Sequence, residues 1–166
     1  PYSKLSGIKM NGLNRFYENN TFYRKPIIID HIQGNGKILV NRLSISLLPK
    51  NRPWKVDVPD PYTFTDLCKD RFYHDKRELM FDFADVLSKE AKSLVKAGFK
   101  LIQINGPSIS MQRDKALVRE IGEAVNKVTK GLNAKVYIHL YFADASPIID
   151  ELLEYHVDGL GLDLTL

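Results

Sequence analysis

The chain has 166 residues, 44% of them hydrophobic and 27% charged, with a formal charge of +4 and a pI near 9.1. That size and balance permit one domain with a real core and exclude the disordered and fibrous classes. No run of about 18 uncharged apolar residues reads as a membrane span, and one cysteine, Cys68, rules out an internal disulfide framework and favours a reducing, cytoplasmic setting.

The basic residues are interspersed with acidic ones, as in Lys76-Arg77-Glu78 and Lys89-Glu90, which reads as solvated helix faces rather than a nucleic-acid patch. No zinc-finger, RNP or helix-turn-helix pattern is present. The chain opens on Pro1-Tyr2 without an initiator Met or a signal pattern, and closes on Leu162–Leu166 as an unfinished strand. Both ends predict a piece of a longer protein.

Pro26 to Ile32 is a β-branched run that predicts a buried strand. Asn35-Gly36 marks a turn, after which Lys37 to Leu48 alternates or runs apolar, and Lys50 to Pro53 reads as a loop. Lys55 to Val58 predicts a strand ending at Pro59-Asp60-Pro61. Over Lys76 to Ala97 the residues Leu79, Phe83, Val86, Leu87, Ala91, Leu94 and Val95 recur at spacings of three and four, which predicts a helix stopped by Gly98.

Lys100 to Ile104 is the next strand, and its tip carries Asn105-Gly106-Pro107. Asp114 to Lys130 repeats the amphipathic helix through Leu117, Ile121, Val125 and Val128, with Gly131 as its stop. Lys135 to Phe142 predicts a strand, Ser146-Pro147 an N-cap and N1 pair opening a helix through Tyr155, and Val157 to Leu166 a further strand.

Alternating strands and helices with short connections predict parallel strands with crossover helices, in a doubly wound sheet or a barrel. No GxGxxG follows the first strands, which weakens the dinucleotide reading. A complete (β/α)8 TIM barrel needs about 250 residues, so residues 1–166 are expected to form an incomplete part of one.

Three segments carry a family resemblance: Asn14 to Pro26 (NRFYENNTFYRKP), Ala97 to Ile109, and Val136 to Leu164. In order and spacing they resemble cobalamin-independent methionine synthase, a two-barrel zinc enzyme that methylates homocysteine from a methyltetrahydrofolate. The Asn14–Pro26 motif and the Gly-Leu-Gly-Leu-Asp-Leu ending are more similar to the zinc-free N-terminal barrel, or to a stand-alone relative of it. The resemblance implies a supportive or folate-tail-binding role beside a C-terminal-type catalytic barrel, in the same chain or as a subunit. It implies no nucleic acid and no membrane partner.

The candidate site residues follow from the same alignment. His139 matches one zinc ligand of the catalytic barrel, but the expected thiolate position is Tyr141, so this chain alone is not expected to hold zinc. A hydrogen-bonded strand histidine is the plain alternative. Gln103, Asn105 and Gly106 stand at the family's Gln-x-Asp-Glu positions, with the acidic pair that would grip an amine missing.

Arg15 matches a basic position that touches the polyglutamate tail of folate, with a solvated surface arginine as the alternative; Asn20 belongs to the same stretch. Asp60, Asp144 and Asp163 are carboxylates at strand ends, and Asp60 reads either as a ligand-binding group or as the cap of the following turn. Together with His139 they make one polar cluster. Phe16, Tyr17, Phe22 and Tyr23, interleaved with Arg15, Arg24 and Lys25, read as a core edge with snorkelling basic residues. Two other functions remain open: a non-catalytic binding or assembly protein on a degenerate barrel, and a uroporphyrinogen decarboxylase-like enzyme using Asp60 and His139 on an acidic substrate.

Overall fold

The computed structural model describes residues 2–49 and 51–164. Pro1, Lys50 of the expected loop, and Thr165 and Leu166 of the expected last strand lie outside the described residues.

The chain opens with an antiparallel hairpin, β1 (Ser6–Arg15) against β2 (Phe22–Gln33), with register shifts after Ser6 and Met10. The sequence reading missed β1, because its side chains are mostly exposed and carry no alternation. Gly7 has φ +75°, and a Cβ there would lie 2.4 Å from the His31 carbonyl oxygen, so only glycine lets the strands approach at this bulge. β2 is longer than the expected Pro26–Ile32, since pairing with β1 extends it over residues with no buried face.

The stretch Lys37–Leu48 is not extended. It forms α1 (Ile38–Arg42) and a 3-10 turn (Ile45–Leu47). Glu90, 2% exposed, accepts hydrogen bonds from the Ile38 and Leu39 amides at 3.0 and 2.9 Å and closes the start of α1 from a distant helix.

The rest is the expected strand-helix alternation. β3 (Lys55–Pro59) leads into α2 (Pro61–Asp66); β4 (Lys69–Asp70) pairs briefly and in parallel with β2. Helix α3 (Lys76–Lys96) starts on Asp75, whose side chain accepts from the Arg77 and Glu78 amides, and ends before Gly98 at φ +107°. Then come β5 (Leu101–Asn105), the single turn α4 (Pro107–Ser110), α5 (Lys115–Thr129), β6 (Lys135–Leu140), α6 (Ile149–Leu153) and β7 (Gly159–Leu162). α6 stops short of the expected Tyr155. It is preceded by a 3-10 turn, Ser146–Ile148, whose start is closed by the Asp144 side chain rather than by Ser146.

β3, β5, β6 and β7 form a parallel four-stranded sheet in that order, an α/β arrangement. It is open among the described residues, not a closed barrel. Period-two alternation sends Val56, Val58, Ile102, Ile104, Val136, Ile138 and Leu140 into one core with Leu79, Phe83, Leu94, Ile121 and Val125 of α3 and α5. Phe83 stacks on Phe64 of α2 with ring centroids 4.8 Å apart. The opposite face carries Lys55, Asp57, Gln103, Asn105, Tyr137 and His139, all exposed or half-buried. Among the described residues, helices cover one side only.

Candidate functional site

Register places the polar residues of that face in rows across the sheet. One row is Asp57, Gln103, Tyr137 and Gly159; the next is Pro59, Asn105, His139 and Gly161. Lys55 donates to Gln103 Oε1 at 2.7 Å and lies 3.5 Å from Asp57 Oδ1. Gln103 Nε2 donates to Asn105 Oδ1 at 2.7 Å and meets His139 Nδ1 at 3.3 Å. The His139 ring leans over β7, where a Cβ on Gly161 would sit 3.0 Å from its Cδ2. The glycines of the Gly-Leu-Gly run thus make room for rings on β6.

Gly106 ends the row. A Cβ there would meet Ile109 at 2.9 Å and Leu140 at 3.2 Å, so the close packing of this turn leaves no space for an acidic side chain. Asn105 and Gly106 give the strand tip hydrogen-bonding capacity without charge.

The hairpin covers the same ends of the strands. Tyr17 takes φ +50° and its hydroxyl lies 2.6 Å from that of Ser108, which donates to Asp66 Oδ2 at 2.7 Å. Phe142, at φ +73°, holds its ring 5.5 Å from that of Tyr17 and 6.3 Å from that of Phe16. Left-handed backbone at two bulky aromatics is strained, and the strain is concentrated where hairpin and strand ends meet. Burial pushes the Tyr17 hydroxyl's pKa up, and the nearby carboxylates of Asp60 and Asp66 add to this against the pull of the Ser108 hydrogen bond.

Beneath the hairpin lies a cavity of about 280 Å³ walled by Phe16, Tyr23, Phe64 and Tyr141, with Asp57, Thr63 and Asn105 among its polar residues. A second opening of about 360 Å³ is lined by Tyr17, Met111, Phe142 and Asp163.

The expected site residues therefore divide. Gln103, Asn105 and His139 form one hydrogen-bonded group. Asp60 is fully buried and caps α2, accepting from the Tyr62 and Thr63 amides at 2.8 and 3.0 Å. Its second oxygen has no hydrogen-bond partner among the described residues, and burial raises its pKa to about 7 despite the pull of Thr63 and of the capping amides. Asp144 is exposed and accepts from the amide and hydroxyl of Ser146, which hold its carboxyl below the ordinary range. Asp163 borders the second opening. Arg15 is exposed on the hairpin turn, donating to the Asn19 carbonyl at 2.7 Å and to Asn20 Oδ1 at 3.3 Å. The sequence reading passed over Lys55, Asp57 and Ser108. The alternation of Lys55-Val56-Asp57-Val58 held the signal for the first two, since it puts both on the face of Gln103.

Residues 7–166 match the family described as the cobalamin-independent synthase, N-terminal domain. The chain belongs to that family. It is 30% identical over 164 residues to a methionine synthase of Saccharolobus solfataricus and 32% identical over 162 residues to one of Sulfurisphaera tokodaii. These alignments cover 98% and 97% of this chain but 48% and 47% of the relatives, so the chain spans about half their length. Its fold is similar to that of a putative vitamin-B12 independent methionine synthase from Listeria monocytogenes, with a TM-score of 0.74 and 17% identity over 95% of this chain and 50% of that one. A B12-independent methionine synthase from Shewanella gives 0.64 and 21% over 85% and 41%.

The resemblance read in the sequence implies zinc in the complete enzyme, and the residues here do not fit it. Among the described residues no three His, Cys, Asp or Glu side chains stand together as a metal site. His139 Nδ1 faces the Gln103 amide, and two residues on stands Tyr141, a phenol whose pKa is raised by burial. The Cys68 thiol is pushed up to about 12 by burial, which disfavours the thiolate that zinc requires. Among the described residues no helix is long and apolar enough to cross a membrane.

Proposed function

We propose that residues 1–166 are part of a (β/α)8 barrel of the N-terminal, zinc-free type, serving a methyltransferase that passes a methyl group from a methyltetrahydrofolate-type donor to homocysteine. The observation that supports this reading is the one-sided sheet. Four parallel strands in chain order, helices on one face and a hydrogen-bonded polar row on the other, match the wall of a barrel whose interior faces the strand ends. In this role the segment supplies no metal. It shapes the mouth and, through Arg15, offers a guanidinium to the carboxylates of a folate tail, in a cytoplasmic enzyme completed by a C-terminal-type catalytic barrel.

The neutral tip at Asn105 and Gly106 favours a second reading, a binding or assembly module that kept the fold without the chemistry. One experiment separates the two. The chain is assayed with homocysteine, zinc and a methyltetrahydrofolate, alone and with a zinc-bearing C-terminal-type partner. The proposal expects no methionine from the chain alone and a rise in the partner's turnover when it is added. Turnover by the chain alone, or no effect on the partner, overturns it.

A further inference from the structure

The polar row has a direction. A lysine ammonium only donates hydrogen bonds, so the atom of Gln103 that it meets at 2.7 Å is the amide oxygen. Gln103 Nε2 is then the donor toward both of its other neighbours. Asn105 must accept through Oδ1, at 2.7 Å, which leaves its NH2 group facing away from Gln103. His139 must accept through Nδ1, at 3.3 Å, which puts its proton on Nε2. Lys55 therefore orients two further groups through one glutamine.

Asn105 and His139 are partners across β5 and β6, so their side chains project from the same row of the sheet. Among the described residues no protein acceptor meets the Asn105 NH2 or the His139 Nε2–H. Asn105 also forms part of the wall of the aromatic cavity under the hairpin. Asp57 shares that wall, and Lys55 at 3.5 Å offsets its charge.

We infer that Asn105 and His139 are a donor pair for the carboxylate of a ligand whose apolar body fills the cavity between Phe16, Tyr23, Phe64 and Tyr141. Two N–H groups oriented in advance match a carboxylate, which only accepts. To an ammonium the same pair offers no charge and only the second lone pair of the Asn105 amide oxygen. The inference uses the mouth invoked for the proposed function but not methyl transfer. A failed methionine assay leaves it standing, and a failed titration leaves the methyl-transfer role standing.

The test uses the full 166-residue chain labelled with 15N. Long-range 1H–15N spectra are expected to show His139 as the Nε2–H tautomer; the Nδ1–H form overturns the relay. 3-Phenylpropionate and 3-phenylpropylamine are then titrated at equal ionic strength. The carboxylate is expected to saturate and to move the Asn105 NH2 and His139 resonances, while the amine does not. Asn105→Asp replaces a donor with a charged acceptor and is expected to weaken the carboxylate about tenfold or more. Lys55→Met, which removes the orienting group and leaves Asp57 without its ion partner, is expected to mix the two His139 tautomers and to weaken the carboxylate. Amine binding at or above the affinity of the carboxylate, no saturable binding of the carboxylate, or an unchanged affinity in a folded Asn105→Asp chain overturns the inference.

Discussion

The hydroxyls of Tyr17 and Ser108 meet at 2.6 Å across 91 residues of chain, and Ser108 passes the contact on to Asp66 at 2.7 Å. This is a specific polar tie between the hairpin tip and the sheet ends, beside the ring contacts of Phe16 and Tyr17 with Phe142. Tyr17→Phe keeps the rings and removes the hydroxyl. It is expected to cost about 1–2 kcal/mol, since Ser108 is buried and loses one partner. Hydrogen exchange at Phe16, whose amide bonds the Thr21 carbonyl at 2.8 Å, is expected to quicken while exchange in α3 stays unchanged. Equal quickening in both would make the tie part of the global core instead of a local latch.

Asp60 gives a pH dependence with a definite sign. Its carboxyl is raised from an ordinary 3.8 to about 7 by burial, so between those values the folded chain binds more protons than the unfolded one. Stability from this group is therefore full below about pH 4 and falls as pH rises through 7. Asp60→Asn keeps the cap without the charge. At pH 8 it is expected to stabilise the protein by about 2–4 kcal/mol, an advantage that fades toward pH 4. Urea melts of both proteins across that range check it.

Glu90 is a buried carboxylate spent entirely on the start of α1. Glu90→Ala leaves two amides without partners and opens space beside Leu39. The expected cost is about 2–3 kcal/mol, with the Ile38 and Leu39 amides losing exchange protection first. Glu90→Gln retains one acceptor oxygen and is expected to fall between.

Gly122 sits inside α5, where alanine is ordinarily favoured by about 1 kcal/mol. Here a Cβ would lie 2.6 Å from the ring of Tyr155, whose hydroxyl donates to the Val118 carbonyl at 2.6 Å. That ring is buried and tethered at its far end, so it cannot step aside cheaply. Gly122→Ala is expected to destabilise by about 1–2 kcal/mol net, because overpacking outweighs propensity. A thermal melt reads the sign.

Arg15 already braces the turn through Asn19 and Asn20. If it also receives an anionic tail, Arg15→Ala is expected to weaken polyglutamyl-folate binding several-fold at low salt. The difference should close at about 1 M salt, where screening reaches about 3 Å. Equal affinities at low salt would leave Arg15 as a turn brace alone.

The second half of the fold was legible because each element announced itself locally. The stripe from Leu79 to Val95, the stops at Gly98 and Gly131, and the apolar alternation of β3, β5 and β6 sufficed to place parallel neighbours. The hairpin was not legible, because β1 is stabilised by pairing with β2 rather than by a buried face of its own. The start of α1 was hidden for another reason: its cap comes from Glu90, 52 residues away from Ile38. In the candidate site, the family resemblance singled out Gln103, Asn105 and His139. It could not reveal that Lys55 orients them, since that depends on strand register. Asp60 reads in the sequence as a ligand-binding carboxylate or a cap, and its hydrogen bonds from the Tyr62 and Thr63 amides make it the cap of α2.

The two margins of the parallel sheet are unequal. On β3 the free margin carries Lys55, Asp57 and Pro59, two charges and a residue with no amide to donate, all of which discourage a stray strand. On β7 the margin reads Gly-Leu-Gly-Leu, without charge or proline. Among the described residues its backbone pairs with β6 alone. The side chains therefore treat the two strands differently: charge and proline stand along β3, and neither stands along β7.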